Sequence, residues 1–288
     1  MSKALFIAAA VAAFCIAATP ESKAFGPAAR FRAQTAIPVV VFGDEARRTL
    51  GEFARANRLD AAALARRHAA SGVIHCGNVR GAGQLTLADD VITTAAHVFY
   101  GRDGALRADG AHCLFTATVA GVAKTSPIDL SSIISGNRDP YANPAVHDWA
   151  VARLARPLKG AAPYAIGPAA APAQRIEFVA RGHQDWGGAK QMSIEACALH
   201  EALNAGAEGT REISFDCAAG LGASGGAVLD ASGARLLGIF VGYRSVAPDQ
   251  PLAFSAQHYN FAVTLEGAFR RAVETAAGGG AGASAERQ

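Results

Sequence analysis

Three short stretches carry side chains suited to covalent chemistry. The first is GLGASGGAV, Gly220 to Val228, where Ser224 stands among residues with almost no side-chain bulk. It matches G-x-S-x-G, the pattern of a strained turn that exposes a nucleophile. In an Ala- and Gly-rich chain the same letters also describe a plain turn between strands, so the stretch needs partners. A serine hydroxyl attacks poorly at neutral pH unless a base lies within hydrogen-bond reach and a third group orients that base. The second stretch, DVITTAAHVFY, supplies a base: a β-branched strand runs into Ala95 and Ala96, small enough for a tight turn, and then His97. The third, VHDWAVARL, supplies a carboxylate. Strand alternation puts Asp148, Ala150 and Ala152 on one face and Trp149, Val151 and Arg153 on the other. A carboxylate opening a half-buried strand must be paired, and a histidine N–H would pair it. Asp129 and Asp139 compete, but both sit near prolines in expected loops.

The remaining histidines read as structural. His75, His112 and His200 flank cysteines, His147 alternates away from the Asp148 face, His68 falls on a helix and His183 in a loop. Trp149 and Trp186 read as packing or cleft residues.

These groups need rigid elements to hold them. From Ser71 onward, runs such as GVIHCGN, CLFTATVA, EISFDC and LLGIFVGY recur between Gly, Asp, Asn and Pro. Short β-rich runs at that spacing predict an all-β sandwich or barrel. Before them, Ile37 to Phe42 is a brief β-rich run, and Asp44 to Ala70 favours helix, with Asp60 as N-cap for AAALARRHAA. Leu265 to Ala276 reads as an amphipathic helix, and residues 277–288 as a disordered tail. No internal repeat is visible and nothing specifies an oligomeric state.

Half the 288 residues are apolar and the net charge is +3, which fits a globular chain with a real core. The pairs Arg47–Arg48, Arg66–Arg67 and Arg270–Arg271 read as solvated helix faces, so no concentrated basic stripe marks a nucleic-acid binder. Lys3, the apolar run Leu5 to Ala18 and small residues at Ser22 and Ala24 predict a signal peptide over residues 1–24 and export, secreted or periplasmic. Bulky Phe14 before Cys15 argues against a lipid anchor, and no later run is long enough for a membrane span. Export leaves Cys76, Cys113, Cys197 and Cys217, an even set suited to an oxidising compartment. Three connectivities are open. Cys76 with Cys113 and Cys197 with Cys217 is the expected choice, because each pair brackets short strand-like segments. No Cys-x-x-Cys and no helical His pair marks a metal site.

Taken in order, the three stretches resemble the trypsin-like serine proteases. TTAAHVF resembles their histidine motif, HDWAVARL their aspartate strand, GASGGAV their serine turn, and LLGIFVGY the strand after it. The spacings of 51 and 76 residues resemble the compact bacterial glutamyl-endopeptidase branch. YNFAVTL leading into a final helix is similar to that branch too. The resemblance covers residues 71–276. It implies two antiparallel six-stranded β-barrels packed face to face, which the composition flanks with a partly helical N-terminal extension over residues 25–70 and a C-terminal helix. It implies His97, Asp148 and Ser224 as a triad, with the backbone N–H groups of Gly222 and Ser224 as an oxyanion hole, each donor worth about 3 to 4 kcal/mol. The substrate would be a protein or peptide, and the chemistry requires no cofactor.

The chain also departs from that pattern. Ala223 precedes the serine, where trypsin-type enzymes carry an aspartate that pairs with a new N-terminus, so no trypsin-style zymogen switch is expected. Residues 25–70 are either a pro-region whose removal unblocks a cleft or a helical decoration. Val98 replaces the cysteine after the histidine, which places the loop from Phe99 to Ala111 inside a ring closed by Cys76 and Cys113. Ala218, six before the serine, gives no acidic pocket floor. Phe240 stands about where the glutamyl branch has a histidine. Phe240, Val241, Gly242 and Tyr243 therefore point to an apolar or mixed pocket.

Two rival readings remain at this stage. An α/β-hydrolase places its acid and histidine after the serine, which here leaves only His258 with Asp230 or Asp249. A catalytically silent binding module of the same fold would have lost a triad member, and none is missing.

Overall fold

Leu114 to Val119 shows how the strands form: Phe115, Ala117 and Val119 are buried while Leu114, Thr116 and Thr118 are half-exposed, the period-two pattern of a strand with one face on a core. The computed structural model describes residues 39–108, 112–142, 144–186, 192–248 and 250–282. The expected signal peptide lies outside them.

In chain order the strands are β1 (Val39–Val40), β2 (Arg48–Thr49), β3 (Ser71–Cys76), β4 (Val79–Leu85), β5 (Val91–Thr94), β6 (Leu114–Val119), β7 (Val122–Ser135), β8 (Ala150–Leu154), β9 (Ala165–Ile166), β10 (Arg175–Arg181), β11 (Met192–Ala205), β12 (Arg211–Phe215), β13 (Ala219–Gly220), β14 (Ala227–Asp230), β15 (Arg235–Ser245) and β16 (His258–Thr264). The helices are α1 (Leu50–Asn57), α2 (Ala61–Arg67) and α3 (Gly267–Gly282).

The strands close two six-stranded antiparallel barrels. The first runs β3-β4-β5-β8-β7-β6 and closes through β6 on β3. The second runs β10-β14-β15-β16-β12-β11 and closes through β11 on β10, with β2 added to β11 and β9 added parallel to β15. Antiparallel barrels rule out the α/β-hydrolase reading, whose serine turn needs a parallel sheet. The disulfides join Cys76 to Cys113 and Cys197 to Cys217, as the bracketed segments predict.

Strand β8 is buried on both faces, because α3 covers the outside of the first barrel. Phe269 stacks on Trp149 at 5.0 Å, and Arg153 donates to the Ala276 carbonyl at 2.7 Å. Trp149 is therefore a packing residue rather than a cleft residue.

Four local expectations need correction. The helix-favouring stretch from Asp44 is not one helix. Thr49 and Glu52 form a reciprocal capping box that starts α1, Arg58 ends it at φ 57°, and Asp60 caps α2. Arg47 is not a solvated helix face: it precedes β2 and is only 6% exposed. Asp129 lies within β7 rather than a loop. Finally, α3 continues past Ala276 to Gly282, into the expected tail, because Ala276 and Ala277 still pack against the core and hold the next turn. The extension is tightly packed, since Phe53, Ala54 and Leu64 all join the main core.

Candidate active site

The register of two strands brings the base and acid together. In the antiparallel pair β5–β8, Thr94 faces Ala150 and Thr93 faces Val151. His97 lies three residues beyond the end of β5, on a 3₁₀ turn (Ala96–Val98), and Asp148 two residues before β8. The strand ends thus meet at one rim of the first barrel. His97 Nδ1 and Asp148 Oδ2 are 2.6 Å apart, and the His97 backbone N–H donates to Asp148 Oδ1 at 2.9 Å. Asp148 is 4% exposed, so both of its oxygens are occupied in a dry site, and the short pairing sets the imidazole with Nδ1 towards the acid.

The surrounding loop is pinned. Arg107 Nε donates to the carbonyls of His97 and Tyr100, each at 3.1 Å, and its Nη2 donates to the Tyr141 hydroxyl at 2.8 Å. The Tyr141 ring then flanks the imidazole at 5.9 Å. The Asp148 loop is also tied to the second barrel. Ala145 N–H donates to Glu212 at 2.6 Å and Thr210 Oγ1 donates to the Val146 carbonyl at 2.9 Å.

Ser224 reaches this rim from the second barrel. Ala82 N–H of β4 donates to the Ser224 carbonyl at 2.7 Å, and Thr94 Oγ1 donates to the Ala82 carbonyl at 2.7 Å. Gly225 lies against Ala95, where a β-carbon would come within 3.1 Å of the Ala95 nitrogen. The serine backbone is therefore set against the strand end that carries His97. Among the described residues no hydrogen bond joins the Ser224 hydroxyl to His97.

The turn around Ser224 depends on glycine. Gly222 and Gly225 have φ of 90° and 87°, a region that side chains disfavour. A β-carbon on Gly222 would collide with the Gly182 carbonyl. Neither Gly222 N–H nor Ser224 N–H donates to another protein group among the described residues, so both are available to a bound anion.

A cleft of about 320 Å³ runs beside His97 and Asp148, walled by Tyr141, Val241, Tyr243 and Phe261. Val241 is one of its walls, and Gly242 packs against the Phe261 ring. Phe240 does not line this cleft. It is 2% exposed and its ring packs with Phe178 and Phe215 inside the second barrel. Ala218 is buried as well, at 1% exposure.

A carboxyl group nonetheless lies against Ala218, from β11. The Ala218 N–H donates to Glu195 Oε2 at 2.9 Å. Burial pushes the Glu195 carboxyl up to about 8, partly offset by that N–H. The folded chain therefore keeps this proton to about pH 8, whereas the unfolded chain releases it near 4.5. Between those values the native state binds more protons, so stability falls as pH rises. Glu195→Gln is expected to flatten this slope, read as melting temperature against pH. Equal slopes in the two proteins would refute the assignment.

His258, the base of the hydrolase rival, is committed elsewhere: its Nδ1 lies 2.8 Å from Ser245 Oγ and its Nε2 3.2 Å from the Val41 carbonyl. His183 lies in the loop after β10, as expected, and is fully buried there.

The family model of the trypsin-like peptidase domain matches residues 70–239. The chain belongs to the trypsin-like peptidase family. Among solved structures, this peptidase is similar to a Glu endopeptidase in complex with MPD. That pair has a TM-score of 0.63 and 15% identity, covering 83% of this chain and 100% of the other. It is also similar to AL20, a thermostable serine protease from an extremophilic microorganism. There the TM-score is 0.51 and the identity 13%, covering 74% of this chain and 98% of the other. No curated protein sequence matches the peptidase.

Proposed function

We propose that this peptidase is an exported serine endopeptidase that works through an acyl-enzyme on Ser224. The observation that carries the reading is the 2.6 Å pairing of His97 Nδ1 with Asp148, beside a glycine turn that holds Ser224 against the same strand end. Ser224 Oγ attacks the scissile carbonyl while His97 Nε2 takes its proton. The imidazolium, stabilised by Asp148, then returns the proton to the leaving amine. The N–H groups of Gly222 and Ser224 receive the developing oxyanion. Water repeats the cycle on the ester, with His97 again as base.

Val241 and Gly242, with Tyr243, favour an apolar or mixed side chain at the cleavage site. On this reading residues 1–24 are a signal peptide, 25–70 the extension, and the peptidase domain runs from residue 71 through the end of α3 at Gly282, with the two disulfides suiting a secreted or periplasmic setting. A fluorophosphonate probe is expected to label the full chain at Ser224, read by peptide mass spectrometry. Absence of label on folded protein would favour the silent binding module instead.

A further inference from the structure

The extension carries one residue that the mechanism above does not use and the fold does not require for strand pairing. The side chain of Arg47 is 3% exposed and inserted between groups more than a hundred residues away in sequence. Its Nη2 pairs with Asp185 at 2.7 Å and Glu45 at 2.6 Å. Its Nε also donates to Glu45, at 2.9 Å, and its Nη1 donates to His183 Nδ1 at 3.2 Å. Burial lowers the guanidinium's hold on its proton, but the Glu45 and Asp185 carboxylates outweigh that and keep it above its ordinary value.

An arginine only donates, so His183 Nδ1 must accept and its Nε2 must carry the proton. That N–H then donates to Ser193 Oγ at 2.7 Å, and Ser193 donates on to the Ala180 carbonyl. Burial and the adjacent Arg47 push His183 down to about 3, consistent with a neutral ring. Trp186 lies within 5.8 Å of the guanidinium and closes the cluster. Arg47 thus ties down the turn after β10 at His183, Asp185 and Trp186.

That turn is the backing of the nucleophile loop. Gln184 N–H donates to the Leu221 carbonyl at 2.9 Å. Gly182, at φ 99°, faces Gly222 so closely that neither position accommodates a β-carbon. On another side, β1 of the same extension pairs with β13, Val39 against Gly220 and Val40 against Ala219, immediately before the loop. The extension therefore holds the Gly220–Ser224 backbone twice, directly through β1 and indirectly through Arg47.

We infer that Arg47 is a positioning residue for the oxyanion hole, so the extension from residue 39 onward is a retained part of the active enzyme rather than a removable pro-region. Ala223 leaves the nucleophile loop without an acid to pair with a newly cut N-terminus, and the internal guanidinium does the holding without any cut. This inference rests on the serine endopeptidase reading.

The experiment uses the full chain with Arg47→Met, which keeps the stem and removes the charge, and Arg47→Lys, which keeps the charge and loses the fork. Fluorophosphonate labelling of the unaltered chain at Ser224 comes first and separates the two readings, because its absence sinks the parent reading alone. Given labelling, Arg47→Met is expected to lower kcat per folded molecule about 100-fold, the effect of misaiming one oxyanion donor. KM should stay within about threefold, since substrate binding through the cleft walls is untouched. Arg47→Lys should fall between. Peptide aldehyde affinity, which depends on the same donors, should fall in parallel with kcat while product-peptide affinity holds. A kcat within about threefold of the unaltered chain, with only the melting temperature lowered, would overturn the inference. If Arg47→Met does not fold, Asp185→Asn is measured by the same criteria, and the same two outcomes decide.

Discussion

Ser224→Ala abolishes peptide hydrolysis, with kcat lower by about a million-fold and KM little changed. The magnitude follows from what the substitution removes and what it leaves. Among the described residues the cleft beside His97 is lined by no serine, threonine or cysteine that could replace Ser224, so covalent catalysis is lost outright. The Gly222 and Ser224 N–H groups keep their positions because alanine alters no backbone angle there. They continue to stabilise attack by water, which leaves a residual rate about 10³–10⁴-fold above solution. The alanine protein also keeps its fold, since Ser224 is held through its carbonyl bond from Ala82 rather than through its hydroxyl. Active-site titration with an acylating ester, followed by steady-state assay of the same preparation, checks both statements. A burst from the alanine protein would place the nucleophile elsewhere.

The second large effect comes from the acid. Asp148→Asn preserves shape and burial but replaces an acceptor facing His97 Nδ1 with an amide. That amide donates its N–H to Nδ1 whenever its oxygen keeps the bond from the His97 backbone, which now stands at 2.9 Å. The imidazole then carries its proton on Nε2, where it cannot accept the proton of Ser224. The expected loss in kcat is about 10⁴-fold near neutral pH. His97→Ala should cost at least as much, and the two changes combined should cost no more than the larger alone, because both disable one proton-transfer unit. Full additivity in that double variant would contradict the shared role.

The chemistry was legible in the sequence because it is encoded locally. TTAAH and GASGG carry the small or β-branched neighbours that shape their own turns, and the register of β5 on β8 then brings His97 and Asp148 together. The strand texture after Ser71 likewise marks an all-β sandwich or barrel, since period-two burial is written residue by residue, while the choice of barrels comes from the family resemblance. Phe240 is placed in the pocket only by its position relative to the glutamyl branch, whereas its ring turns into the core of the second barrel. Arg47 was hidden for a different reason. A double arginine in a polar segment looks solvated, and its acceptors are defined only when Asp185 and His183 fold against it. Glu195 was overlooked similarly, for its burial depends on the closing of β11 on β10.

The moorings of the Asp148 loop on Glu212 and Thr210 have a wider implication. Proton acceptor and alcohol are delivered by different halves of the molecule, and those tethers make their alignment a report on how well the halves are seated. Mild heat or denaturant that parts the halves, with each still folded, silences turnover first. Loss of hydrolysis is then the earliest sign of unfolding rather than its last.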